Sequence, residues 1–329
     1  MPLNFTTALF AKDPLWFLKS YAINPPADPN PQLRGEQTIP HAQGRFKSAE
    51  VGVPIAWIKL SPDPLYPRAF TFDLEFAAGD VRARIERADR LPVYYLPWEP
   101  DKFVRMSIPA YREQNVADFG IGRDHSSKTF SIDPYNPHLF FTAGLTGCSV
   151  FVYGDPRQPT VTHVGTRTDT PFGDDCALFW RELLFLERCQ RGDYQGMASE
   201  ANMDQYQGRT FGKTRSIGEF CRWLATRPEK FTIEDIIPYG AVFGIRYGSL
   251  WSFYLQECGV VYAYKVVQQK QQEKQQLLTF FEWAVTKTVT VKKTFPTRTI
   301  PFSVRPFFPK GGGSASLRRA FKYQTYYYQ

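Results

Sequence analysis

Two side chains in this sequence could share a proton: the thiol of Cys148 and the imidazole of His163. Both fall in residues 139–163, which read as a β-hairpin. The stretch is apolar through Val150, Phe151 and Val152, turns at Gly154-Asp155-Pro156-Arg157 and returns through Thr160, Val161 and Thr162. Glycine and Asp-Pro are what tight turns favour. With the centre between Asp155 and Pro156, Val152 is expected opposite Pro159, Val150 opposite Val161, and Cys148 opposite His163. Directly opposed residues of an antiparallel pair share a face, with Cβ atoms about 4.5–5.5 Å apart. An imidazole at that distance can take the thiol proton and leave a nucleophilic thiolate. Thr146 and Gly147 let the backbone turn tightly just before the thiol and offer N–H groups to an oxyanion. His163 also needs an orienting partner. Asp155 and Asp169 lie near it in sequence, although turn acids ordinarily cap or solvate. The competing reading is structural, because free cysteines are among the most buried residues and a strand histidine is ordinarily a hydrogen-bonded wall residue.

The elements that must hold this pair are β-rich. The 329 residues suffice for one large domain or two ordinary ones. Their 28 Phe and 18 Tyr, punctuated by 26 Pro and 23 Gly, favour strands over a helical bundle. Strand patterns fall at 55–60, 69–76 and 81–86, with Ala77-Ala78-Gly79-Asp80 as a hairpin loop, and again at 91–98, 239–247, 250–264 and 283–293. Helical patterns fall at 14–21, at 173–188 behind an Asp174 cap, and at 216–226, where Ser216 and Glu219 have capping-box spacing. The proline-rich 24–40, the polar 112–127 and the Gln/Lys-rich 268–276 read as loops or connections, and Gly311-Gly312-Gly313-Ser314 as a flexible connector. The expected fold is α+β, a β-sandwich of mixed sheets with helices packed outside. It forms one domain over 1–329, with 1–50 and 270–329 as additions of no assigned role.

The net charge of +8 is dispersed, with Lys292-Lys293 and Arg318-Arg319 only pairs. It reads as solubility and loose steering, not as a nucleic-acid footprint. Five cysteines, Cys148, Cys176, Cys189, Cys221 and Cys258, include no Cys-x-x-Cys, and the four histidines lack metal-ligand spacing. This argues against a disulfide framework and a zinc site and fits a reduced compartment. Cys176 and Cys189 read as packing residues. No cofactor or metal is expected. Without a long apolar run or a signal-peptide pattern, no membrane span is expected, and the chain reads as a monomer.

Leu139-Phe140-Phe141-Thr142 and Leu145-Thr146-Gly147-Cys148 resemble the Leu-Ser-Gly-Cys region of the Burkholderia lethal factor family. Those toxins share a fold and a Cys-His dyad with the catalytic domain of the cytotoxic necrotizing factors. Leu96-Pro97-Trp98, Phe179-Trp180-Arg181 and Gly248-Ser249-Leu250-Trp251 extend the resemblance in scattered islands over residues 90–255. Thr146 replaces the motif's serine. The turn at 154–159 is longer than in the lethal factor, while the Cys-to-His spacing matches the necrotizing factors. The resemblance implies Cys148 as nucleophile, His163 as base and Thr142 as a supporting residue beside them. It further implies a toxin that deamidates a glutamine of a host protein. The thiolate attacks the carboxamide carbon, His163 protonates the departing ammonia, and water hydrolyses the thioester to glutamate. The implied partner is either the DEAD-box helicase of translation initiation, whose loss blocks initiation, or a Rho-family GTPase. The implied place of action is the host cytoplasm, reached without a recognisable signal peptide. A thiol protease or transglutaminase would use the same dyad, and a non-enzymatic basic binding protein is the remaining alternative.

Overall fold

Strand after strand in this chain carries apolar residues on the face that a second sheet must cover. A computed structural model describes residues 5–26, 32–41, 44–52, 54–63, 66–76, 90–111, 136–165, 176–193, 198–207, 211–228, 231–278 and 281–309. Strands β1 (Ala22–Asn24), β4 (Ile55–Pro62), β5 (Ala69–Phe76), β6 (Leu91–Leu96), β8 (Leu139–Thr142), β12 (Thr232–Tyr247), β13 (Leu250–Leu278) and β14 (Phe281–Phe308) form one sheet. Its order is β1-β5-β4-β6-β8-β12-β13-β14. Strands β2 (Leu33–His41), β3 (Gly44–Val51), β7 (Lys102–Ser107), β9 (Ser149–Tyr153), β10 (Thr160–Gly165) and β11 (Ser199–Ala201) form the other, in the order β11-β9-β10-β7-β3-β2. Both are mixed, because β1 and β5, β6 and β8, and β3 and β7 run parallel.

Between the sheets, Tyr94, Leu96, Phe140, Trp251, Phe253 and Leu255 of the larger one meet Val104, Met106, Val150, Val152 and Val161 of the smaller. Burying one such side chain contributes about 1.5–3 kcal/mol. Helices cover the outer faces. Helices α1 (Phe5–Lys12) and α2 (Pro14–Ser20) lay Phe10 and Phe17 over Ile58, Phe72 and Phe141. The Asp13 carboxylate caps α2 by accepting the Trp16 N–H at 2.9 Å. Helix α3 (Cys176–Arg191) presses Phe179, Trp180, Leu183 and Leu184 onto Phe103, Phe151 and Tyr153. Strand β9 is thus buried on both faces, so its sequence is continuously apolar. After α4 (Met203–Gln207), α5 (Phe211–Ala225) packs Phe220 and Leu224 against Val261, Ile300 and Phe302. The architecture is the α+β sandwich of mixed sheets expected from the sequence.

Local expectations fare less evenly. Residues 33–40, read as a loop, lie in β2, an edge strand where Pro40 is tolerated. Strand β7 was not anticipated, because Phe103, Val104 and Met106 serve both layers and leave little alternation. Helix α5 begins at Phe211, so Ser216 is buried in mid-helix and Glu219 pairs with Arg68 and Arg215 instead of capping. Packing on β13 and β14 overrides the local capping signal. The Gln/Lys tract belongs to β13, held there by register with β14. The expected strand at 81–86, the loop at 112–127, the Asp174 cap, Asp169 and the 311–314 connector lie outside the described residues.

Candidate active site

The hairpin that carries the site turns one residue later than the sequence suggests. Gln158 N–H bonds to Asp155 C=O at 2.9 Å, so the tight turn is 155–158. The Asp155 carboxylate accepts the Arg157 N–H at 2.9 Å, which makes it a turn cap and leaves it no orienting role. A turn displaced by one residue shifts the register by two. Val150 is opposite His163 and Val152 opposite Val161, correcting the direct Cys148–His163 pairing. A two-residue shift preserves the face. Cys148 and His163 therefore remain on the side that meets the larger sheet, as diagonal neighbours, a relation that spaces Cα atoms about 7–8 Å apart and Cβ atoms somewhat less.

Continued past Ser149 and Val164, the same register brings Cys148 across from Gly165. This glycine is needed there. A Cβ at Gly165 would overlap the Cys148 sulfur and lie 2.8 Å from the Trp98 indole Nε1. The thiol and the indole N–H thus converge over the same bare α-carbon. Trp98 arrives from β6 after Pro97, and its Nε1 is buried without a hydrogen-bond partner. Both ring nitrogens of His163 are likewise buried and unpartnered, and the residue is 0 % exposed. Leaving polar atoms unsatisfied at such depth is costly; the core indoles of Trp57, Trp180 and Trp251 share that state, and what sets His163 and Trp98 apart is their nearness to a thiol.

The backbone around the thiol is fixed from the opposite sheet. Leu145 and Gly240 exchange hydrogen bonds of 2.6 and 2.9 Å, pinning the 143–148 crossover to β12. The Tyr206 hydroxyl donates to the Cys148 carbonyl at 3.2 Å, its ring fitting against Gly240, where a Cβ would lie 3.0 Å from it. Gly147 adopts φ +152° with open space about its α-carbon, and Thr146 beside it is exposed. Thr142, fully buried, spends its hydroxyl on the backbone: it donates to Ala143 C=O at 2.8 Å and accepts from Val242 N–H at 3.4 Å. It fixes the strand from which the crossover departs. Trp180 and Trp251 are core residues of the sandwich.

Burial sets the protonation states. It pushes the Cys148 thiol up to about 12, a rise that a hydrogen bond to the Thr146 backbone only partly offsets. It pushes the His163 imidazole down to about 3. In this closed arrangement the proton stays on sulfur and the imidazole is neutral. Among the described residues, no group of three or more His, Cys, Asp or Glu could hold a metal ion.

Trp98, Gly165 and Tyr206 were not singled out as site residues from the sequence. Strand alternation alone places Gly165 on the His163 face, a signal that was present. The approach of Trp98 and Tyr206 arises from pairing between distant segments and has no local signature. No protein-family model matches this sequence, and no curated protein matches it.

Proposed function

We propose that the protein is a cysteine-dependent amide hydrolase that deamidates glutamine side chains of a host protein. The observation that carries this reading is the convergence of a thiol with unsatisfied polar groups: the free His163 nitrogens and the Trp98 N–H on one buried face. A carboxamide complements that set. Its oxygen can accept the Trp98 N–H as negative charge builds on it, and its carbon meets the sulfur. His163 takes the thiol proton and returns it to the leaving ammonia. Water then hydrolyses the thioester, with His163 as base, and releases glutamate. The thiolate is disfavoured until the substrate brings polar groups into the site, so reactivity is coupled to binding. The 6 % exposure of Cys148 requires its cover to move before a side chain can enter.

Toxin action in the host cytoplasm, on the initiation helicase or a Rho-family GTPase, rests on the motif resemblance around Thr142 and Cys148. The test is target-mapping mass spectrometry of a host lysate treated with wild type or Cys148→Ser. A glutamine gaining about one dalton with wild type alone supports deamidation. Chain cleavage or a crosslink at that glutamine points instead to a protease or transglutaminase. An undiminished cellular effect of Cys148→Ser overturns an enzymatic role for the thiol.

A further inference from the structure

Strand β13 leaves β12 at Tyr264, whose partner is Thr232, yet it stays paired with β14. From Lys265 opposite Lys293 to Gln276 opposite Glu282 the register is unbroken. This two-stranded ribbon runs roughly 40 Å at about 3.3 Å per residue, and isolated two-stranded ribbons are marginal in water. β14 ends its sheet, so its outer edge has no strand partner among the described residues. Along the body that edge carries Pro296, Pro301 and Pro306, residues that block strand addition; residues 281–294 contain no proline.

Residue identities along the ribbon select the partner. Odd positions of β14 include Phe281, Trp283, Val285, Val289 and Val291, but the β13 positions on that face include Gln269, Gln271, Glu273 and Gln275. Neither face is apolar across both strands, which is unsuited to lipid. The lysines fall evenly at odd and even register positions, 265, 287 and 293 against 270, 274 and 292, so their spacing builds no single basic stripe for nucleic acid. The free edge, however, complements itself. A two-fold axis at Thr288 sets Val285 against Val291, Thr286 against Thr290 and Trp283 against Lys293, with Glu282 diagonal to Lys292. No like charges are directly opposed, and the one like-charged diagonal is Lys287 with its own copy at the axis.

We propose that residues 281–294 pair antiparallel with the same segment of a second copy, forming a two-fold dimer through the β14 edge, in place of the monomer expected from sequence. This is independent of the chemistry at Cys148.

Light scattering on the full chain under reducing conditions should give twice the chain mass at micromolar concentration. Val285→Lys with Val289→Lys should halve it without changing the far-ultraviolet circular dichroism. Because that double variant perturbs the ribbon itself, Thr288→Cys gives a second reading. Under oxidation it should form a reducible covalent dimer in high yield, whereas wild type and Gln268→Cys, on the other strand, should not. A wild type at single-chain mass throughout, a dimer indifferent to the lysines, or equal crosslinking from Gln268→Cys overturns the proposal. So does a monomeric wild type whose ribbon lysines retain it on nucleic acid.

Discussion

Cys148 and Cys258 are both buried thiols, both pushed up to about 12 by burial, and both beside a tyrosine. Their surroundings differ in what is left unpaired. Cys258 shares a hydrogen bond with Tyr239, whose hydroxyl also reaches Ile23 C=O at 3.3 Å, and Ala22 and Val260 complete the packing. The neighbouring buried Glu257 carboxylate is ion-paired with Arg305 through Oε1 but has no hydrogen-bond partner at Oε2 among the described residues. Around Cys148 the imidazole of His163 and the indole N–H of Trp98 have no hydrogen-bond partner among the described residues. Burial and thiol acidity cannot tell these sites apart. The neutral groups next to each sulfur do: Tyr239 is hydrogen-bonded, whereas His163 and Trp98 hold donors and acceptors that are left empty at a cost.

The contrast is sharpest under substitution of sulfur by oxygen. Cys148→Ser should lower glutamine deamidation by at least about a thousand-fold, while Cys258→Ser should leave turnover within a few-fold and reduce stability; steady-state assays and denaturant melts on both variants decide it. His163→Gln should cost about 100- to 10,000-fold in kcat, the range for a positioned general base. It should also change the acid limb of stability. Folded His163 stays neutral down to about pH 3, whereas the unfolded side chain takes a proton below about 6.5. The native state therefore loses stability as pH falls from about 6.5 towards 3, and the Gln variant should lose less in urea melts across that window. His138, lowered to about 4, keeps part of the slope in both proteins. Trp98→Phe retains the ring and deletes the N–H, and should lower kcat by about 100-fold with little change in melting. The smallest change is expected from Tyr206→Phe: loss of one hydrogen bond to the Cys148 carbonyl, about 1 kcal/mol in stability, read by thermal denaturation.

The same contrast shows what was legible in the sequence. Alternation put Cys148 and His163 on one face, and that survives, because a hairpin read one residue off in its turn errs by two in register. The turn misled because Gly154 and Asp155-Pro156 are both turn signals, and the Asp155–Gln158 hydrogen bond selects between adjacent frames. Strands with one wet face were readable, as at 69–76. β7, serving two cores, was not. Helix α5 shows the converse case, where packing against Val261 and Ile300 extends a helix through a local start signal. Trp98 and Gly165 come together because the β6–β7 connection runs beside the end of β10, where the Asp101 N–H bonds to Gly165 C=O, a relation that no local window contains.

Thr142, Leu145 and Tyr206 together moor the crossover that carries the thiol to the eight-stranded layer, while His163 rides wholly within the six-stranded one. The spacing of thiol and imidazole is therefore set within one hairpin, while the backbone just before the sulfur is held from the other layer. A slip of one layer over the other would reach the sulfur through residues 143–147, much as play in a hinge is felt at a latch.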